Sequence, residues 1–232
     1  MLKVPTINTP AGYNYIESCL HRCLYPVTKY HLNFLKFQLG SLKYILNYSN
    51  EILYDDIDNY IDENGIIVHN IVFADNDILS LKDFVTRNIQ FLIEICRDNV
   101  VLLIGNQTNF VDCVIISCLR KLLQWSYFNI WSEFRFLIGK QRRLQDLEEF
   151  IEWYEPGSAL LLPPTSELPE FLRTHLVLLE EERGEREGRD RNGGDSWQVK
   201  IRLLYANTEA LVSDGVVYDA ELSLIDDKDD ED

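Results

Sequence analysis

A predicted strand that runs through a short loop into a predicted helix is where this chain could bind phosphate. Residues 100–104 are an apolar run of strand length, Gly105-Asn106 interrupts that run, and residues 110–124 follow a helical pattern. A loop of this kind and the start of the helix aim backbone N–H groups at an anion. Residues 100–124 are therefore the candidate phosphate site.

Cysteine-based phosphate chemistry at such a loop needs a thiolate to attack phosphorus and a guanidinium to hold the phosphoryl oxygens. The chain has five cysteines, Cys19, Cys23, Cys96, Cys113 and Cys118. The residues six positions after them are Tyr25, Lys29, Leu102, Leu119 and Gln124, so the sequence contains no Cys-x5-Arg. Cys113 and Cys118 lie in an apolar helical pattern and are interpreted as buried structural thiols.

Other catalytic or metal-binding patterns are weak. The chain has no Gly-x-x-x-x-Gly-Lys-Ser/Thr, Gly-x-Ser-x-Gly or His-Glu-x-x-His. Cys19 and Cys23 flank His21, but no second Cys/His pair at ligand spacing completes a zinc site. We expect no cofactor and no metal. Asp75 and Asp77 lie in a loop that could carry a general acid, and are interpreted as turn formers.

The elements that position these residues alternate along the chain. Strands are predicted at residues 42–46, 66–73 and 100–104, and helices at 80–96, 110–124, 126–138 and 144–154. Strands that alternate with helices indicate βαβ units. The predicted fold class is α/β, with a parallel sheet flanked by helices.

The composition changes after this region, and three segments are predicted. Residues 1–160 form the folded domain, and residues 161–195 form a Pro-rich to charged linker. Residues 196–232 form a C-terminal extension, in which Trp197 to Tyr205 alternate like a strand and residues 226–232 are an acidic tail.

The net charge of −16 argues against two classes of partner. A strongly negative chain repels phosphate backbones and anionic lipid, so we expect no nucleic acid and no membrane partner. The sequence has no apolar run of about 18 residues or more. Its start lacks the apolar core of a signal peptide, so a cytoplasmic location is predicted.

Residues 100–126 resemble the catalytic loop and following helix of the plant and fungal atypical dual-specificity (tyrosine) phosphatases. The loop of that family reads His-Cys-x5-Arg-Thr, and its helix ends in Cys-Leu/Ile-Arg-Lys-x-x-x-Trp-Ser. Residues 118–121, Cys-Leu-Arg-Lys, and Trp125-Ser126 match that ending without a gap. Residues 20–26 are similar to the early Tyr-Arg-Ser-x-x-Pro segment of the family. The likeness covers residues 4–155 and is closest to the fungal oxidant-induced cell-cycle arrest (Oca) proteins.

The resemblance implies that the catalytic loop has degenerated. With the helix aligned, the histidine of the family falls on Ile104, its nucleophilic cysteine on Gly105, its arginine on Val111 and its threonine on Asp112. Gly105 has no side chain for attack, Val111 has no charge, and Asp112 adds a negative charge. No catalytic residue is therefore predicted at these positions.

Together these observations predict a catalytically inactive protein that is a noncatalytic subunit or regulator in a cytoplasmic phosphatase-family complex. Its expected partners are proteins, including active phosphatase relatives, and the family implies a link to inositol pyrophosphate signalling. One alternative is an active protein-tyrosine or inositol pyrophosphate phosphatase with an unrecognised arrangement. Another is a sensor whose pocket binds a neutral or weakly anionic ligand. Four basic residues, Arg135, Lys140, Arg142 and Arg143, either contact a polyphosphate or, as we favour, form a solvated helix end.

Overall fold

The computed structural model describes residues 7–53, 57–73, 78–108, 110–139, 145–156 and 160–174. The chain divides into two compact units, Met1–Asn192 and Gly193–Asp232. The second unit lies outside the described residues, and so do the predicted strand-like segment at Trp197 to Tyr205, the acidic tail and residues 175–195 of the predicted linker.

The described part of the first unit is built on a five-stranded sheet in the order β1-β2-β5-β3-β4. The strands are β1 (Asn14–Glu17), β2 (Leu20–Leu24), β3 (Leu42–Asn47), β4 (Ile67–Asn70) and β5 (Val100–Gly105). β5 pairs in parallel with β2 and with β3, and β3 pairs in parallel with β4. Only the edge strand β1 is antiparallel to its neighbour. This arrangement confirms the predicted α/β class.

The strand β5 is central because both of its faces are apolar and covered. Residues 101–104 have no exposed surface. Leu102 and Ile104 pack into the core that includes Leu35 of the first helix and Tyr60 of the second. Because side chains alternate along a strand, Val101 and Leu103 face the opposite layer of helices.

Helices cover both faces of the sheet. They are α1 (Leu32–Gln38), α2 (Asp58–Glu63), α3 (Ile78–Ile95), α4 (Val111–Leu122), α5 (Tyr127–Ile138) and α6 (Gln145–Trp153). α4 packs against β5, α3, α5 and α6. The predicted strands and helices are present, with ends displaced by a few residues. The sequence patterns missed β1, β2, α1 and α2.

Both ends of α5 have capping residues that favour them. The hydroxyl of Ser126 accepts a hydrogen bond from the backbone N–H of Asn129 and caps α5. Gly139 ends that helix with a φ of 74°, which favours glycine. In the part of the chain that the structure describes, no helix is both long enough and apolar enough to cross a membrane.

Candidate functional site

The buried side chain of Arg22 is the centre of the candidate site. Arg22 lies on β2 and is 1% exposed. Its Nε donates to Asp112 Oδ2 at 2.6 Å, its Nη1 donates to the Leu137 carbonyl at 3.2 Å, and its Nη2 donates to Cys113 Sγ at 3.2 Å. The site therefore contains a guanidinium, a carboxylate and a thiol in direct contact.

Asp112 and Cys113 come from the first turn of α4. Burial of the Asp112 carboxyl raises its pKa, and the charge of Arg22 opposes that rise. Burial also raises the pKa of the Cys113 thiol, and the negative charge of Asp112 raises it further. For Arg22, burial alone would lower the pKa, but Asp112 raises it above the usual value. In this arrangement Arg22 is charged and Cys113 is a protonated thiol.

Gly105 and Asp112 fit each other closely. A Cβ atom added to Gly105 would lie 2.2 Å from Asp112 Oδ2 and 2.6 Å from its Cγ. These distances are far below van der Waals contact, so the Asp112 carboxylate fills the space that a side chain at position 105 would need. The two residues therefore depend on each other, although the alignment with the family counts Gly105 and Asp112 as two independent substitutions.

The loop after β5 is held at its start by the end of β3. Asn106 donates from Nδ2 to the Ser49 carbonyl at 2.9 Å. Its Oδ1 accepts from the backbone N–H of Thr108 at 3.3 Å. The Ser49 hydroxyl in turn donates to Asn47 Oδ1 at 2.6 Å. This network fixes the direction in which the loop leaves the sheet.

A cavity of about 910 Å³ borders the guanidinium. It is lined by the N-terminal hairpin, the loop after β5 and the end of α5, with Arg22, Tyr13, Asn14, Asn106, Gln107 and Phe110 among its residues. A cavity of this volume lies within the range of small-molecule sites. Arg22 contacts this cavity, whereas Cys113 is not among its lining residues.

The residues of the helix motif that carried the family resemblance are structural. The Arg120 guanidinium donates to Glu17 and Glu133 and to the Ile16 carbonyl. Its Cζ also lies 4.0 Å from the ring centroid of Trp125. Arg120 thereby connects α4 with β1 and α5.

Several predicted residues take no part in the contacts of Arg22. Ile104 and Gly105 end β5, and Val111 begins α4, so these residues flank the loop that the sequence predicted. Cys118 is fully buried, as predicted for a structural thiol. Arg135 pairs with Glu148 at 3.4 Å and stacks on Trp131 instead of facing the loop. The remaining candidates, Asp75, Asp77, Lys140, Arg142 and Arg143, lie outside the described residues.

Two solved structures show the same fold. One is the core catalytic domain of the PP-IP phosphatase SIW14 from S. cerevisiae in complex with citrate, with 22% identity and a TM-score of 0.57 over 66% of this chain and 91% of that one. The other is a structure of the Siw14 catalytic core, with 23% identity and a TM-score of 0.56 over 66% and 89%. No curated protein sequence matches the chain.

The predictions of a noncatalytic subunit and of a non-enzyme are corrected by these findings. Both predictions rested on the loss of the family's cysteine at Gly105 and arginine at Val111, and on the absence of any Cys-x5-Arg. Arg22 supplies a guanidinium to Cys113 from a distant strand, which a search for Cys-x5-Arg could not detect. The similar solved structures are, moreover, catalytic cores of a phosphatase. The alternative prediction, a phosphatase with an unrecognised arrangement, fits the findings better.

The sequence profile of the tyrosine phosphatase family matches residues 7–164. Within the described residues this range includes the five strands, helices α1 to α6, Arg22, Asp112 and Cys113. A match over more than half of the chain, in the order of elements that the structure shows, identifies the family. The chain therefore belongs to the tyrosine phosphatase family.

Proposed function

We propose that this protein is a phosphohydrolase that acts on inositol pyrophosphates, with Arg22 and Cys113 as its catalytic pair. The observation that carries this proposal is the 3.2 Å contact between Arg22 Nη2 and Cys113 Sγ. A thiol at the first turn of a helix beside a guanidinium is the combination that cysteine-dependent phosphoryl transfer uses. Arg22 also borders the cavity in which a substrate could bind.

The reaction follows from these groups. The thiolate sulfur attacks the terminal phosphorus, an S–P bond forms, and the P–O bond to the remaining inositol phosphate breaks. The leaving oxygen takes the proton that the Cys113 thiol gave up, and water then cleaves the S–P bond, which releases orthophosphate and returns a proton to the sulfur. Arg22 holds the phosphoryl oxygens and stabilises the charge that develops on them.

Turnover by this route requires Arg22 to exchange one anion for another. In the structure the guanidinium is paired with Asp112, and both side chains are buried. Asp112 also raises the pKa of Cys113, so the thiol is a weak nucleophile while this pair is closed. A substrate phosphate that draws Arg22 away from Asp112 would open access to the thiol.

The substrate class rests on two observations. The cavity has room for more than one phosphate group, and Asn14, Asn106 and Gln107 give it polar walls. The solved structures of similar fold are named as catalytic domains of a PP-IP phosphatase. These features favour a compact polyanion over a phosphotyrosine peptide.

The test is a turnover assay on the full chain with a diphosphoinositol polyphosphate, a phosphotyrosine peptide and an aryl phosphate. We expect orthophosphate release from the first substrate and its loss in Cys113→Ser. Cys118→Ser is the matched control, because Cys118 is equally buried on the same helix and is not hydrogen-bonded to Arg22. The control should retain activity. Absence of turnover in the unmodified protein, or full activity in Cys113→Ser, would refute the proposal.

The narrower expectations remain proposals. They are the closer likeness to the Oca proteins, association with protein partners that include active relatives, and a cytoplasmic location. Large apolar side chains that such partners could contact at the surface include Phe37, Phe128 and Trp153. Purification from the native organism, with identification of the stoichiometric partners, tests these proposals together.

A further inference from the structure

The acceptors around Arg22 lead to an inference about regulation of the proposed site. A cation that is to bind substrate phosphate should have donors free towards the cavity. Here three of the five N–H donors, one each on Nε, Nη1 and Nη2, donate to protein acceptors, and Asp112 Oδ2 at 2.6 Å is the nearest of these acceptors. Asp112 is also the only carboxyl group among them, and its carboxylate form supplies the charge that a phosphate would otherwise supply.

The space around Asp112 supports the same interpretation. Its carboxylate is fully buried and lies over Gly105, in the position that a side chain on the final residue of β5 would occupy. The contact is made by one carboxylate oxygen, Asp112 Oδ2, which accepts from Nε as one oxygen of a phosphate would. Asp112 therefore resembles a ligand anion in both its charge and its position.

We propose that Asp112 is a built-in competing anion that occupies Arg22 and keeps the site closed until it is protonated or displaced by a ligand anion. This inference rests on the proposed function for its consequence, namely control of turnover. The contact itself concerns anion binding and can be tested without any turnover.

If Asp112 competes for Arg22, the affinity of the site for an anion depends on how often the Arg22–Asp112 ion pair is closed. If the closed pair accounts for about 90% of molecules, it weakens apparent anion binding about tenfold, because only the open fraction binds. Removing the charge of Asp112 should abolish this penalty. Asp112→Asn keeps the size of the side chain and leaves the charge of Arg22 without a competitor.

The competition also predicts a pH dependence. Burial raises the pKa of Asp112, so its protonation on acidification releases Arg22 and tightens anion binding. The ionisable groups that interact with Asp112 are Arg22, Cys113, Cys23 and Tyr48, and the last three stay neutral in the acidic range. One further group, His21, contacts Tyr13 of the cavity wall and could also attract an anion once protonated.

The experiment is sulfate binding to the full chain by calorimetry between pH 7.5 and 4, a range in which sulfate keeps its charge. We expect Asp112→Asn to bind sulfate about tenfold more tightly than the unmodified protein at pH 7.5. Asp83→Asn, which removes one exposed charge from α3, is the control and should change little. In the unmodified protein and in His21→Gln, sulfate binding should strengthen as the pH falls, which tests the inference even if Asp112→Asn fails to fold.

Three other results of the binding experiment would overturn the inference. Equal affinities for the unmodified protein and Asp112→Asn would show that Asp112 does not compete. A pH dependence that persists in Asp112→Asn would assign the effect to His21. Failure of both proteins to bind sulfate would show that Arg22 cannot be released to an anion. Failure of the turnover assay alone would refute the proposed function and leave the binding result standing.

Discussion

The carboxylate of Asp112 lies where the side chain of residue 105 would begin, and this explains why a glycine ends the central strand. The gap between a Cβ at position 105 and Asp112 Oδ2 would be 2.2 Å. Because Asp112 is also paired with Arg22, it cannot move without breaking a buried ion pair. Glycine, aspartate and arginine are thus one structural unit assembled from β5, α4 and β2.

This relationship predicts that Gly105→Ala destabilises the protein. The added methyl group forces Asp112 away from Arg22, and we expect a loss of about 1 to 3 kcal/mol in the free energy of unfolding, the usual cost of overpacking. Urea denaturation followed by circular dichroism measures it. In an Asp112→Ala background the same substitution should cost much less, and a cost that is equal in both backgrounds would contradict the steric explanation.

Removal of the buried Arg22 guanidinium alone should lower the free energy of unfolding more than removal of the charges of both Arg22 and Asp112. In Arg22→Met, Asp112 remains buried without a counterion, which typically costs about 3 to 5 kcal/mol. The double variant Arg22→Met/Asp112→Asn should recover part of that loss, because no buried charge is left unpaired. Thermal unfolding of the three proteins provides the measurement. A double variant less stable than Arg22→Met would exclude this explanation.

Two arginines on neighbouring helices offer a matched comparison. The side chain of Arg120 is 3% exposed with two carboxylate partners, whereas that of Arg135 is 59% exposed with one. We expect Arg120→Met to cost several times more stability than Arg135→Met, whose exposed ion pair contributes at most about 1 kcal/mol. Denaturant titration compares the two variants, and similar midpoints would argue against a central role for Arg120.

The cysteines should differ widely in reactivity towards an alkylating reagent. A hydrogen bond with Cys96 lowers the pKa of Cys19, which is partly exposed, so Cys19 should react first. Burial raises the pKa of Cys23 to about 12 and also raises the pKa of Cys118. Mass spectrometry after timed alkylation at pH 8 should therefore find Cys23 and Cys118 unmodified until denaturant is added. Early modification of Cys118 would show that α4 opens readily.

His21 should make stability fall on acidification. Burial lowers its pKa in the folded state, so the unfolded chain binds more protons as the pH drops through about 6.5. The stabilisation is complete above that pH and is lost as the pH falls towards the lower folded-state value. Replacement of the ring by His21→Gln should flatten this part of the profile of unfolding free energy against pH. Burial also lowers the pKa of His31, which is present in both proteins. His31 therefore accounts for the slope that remains in the stability profile of His21→Gln.

The sequence could predict the elements whose burial is uniform or periodic. β5 has apolar residues on both faces, and α3 and α4 repeat them at helical spacing, so their patterns are unambiguous. β2 was missed because Leu20–Leu24 includes a histidine and an arginine, which in isolation argue against a buried strand. Arg22 is tolerated there only because Asp112 neutralises it.

The loop of the candidate site could be located from the sequence, but its chemistry could not. A strand, a glycine break and a helix are local signals, and the structure places all three as predicted. The pairing of Arg22 with Asp112 and Cys113 joins residues 90 and 91 positions apart. Nothing in the local spacing of either segment indicates that contact, because it depends on the parallel pairing of β2 with β5.

The position of Arg22 on a strand affects how loops in this fold can change. The guanidinium reaches the site from the sheet, while the thiol and the carboxylate arrive from α4. A loop beside this strand can lose the arginine that the family carries in the loop itself, as at Val111, and still lie next to the positive charge of Arg22. Substitutions between Gly105 and Asp112 can therefore accumulate without removing the cation. A sequence signature confined to that loop will separate relatives by their loop residues even when they share the same buried charge.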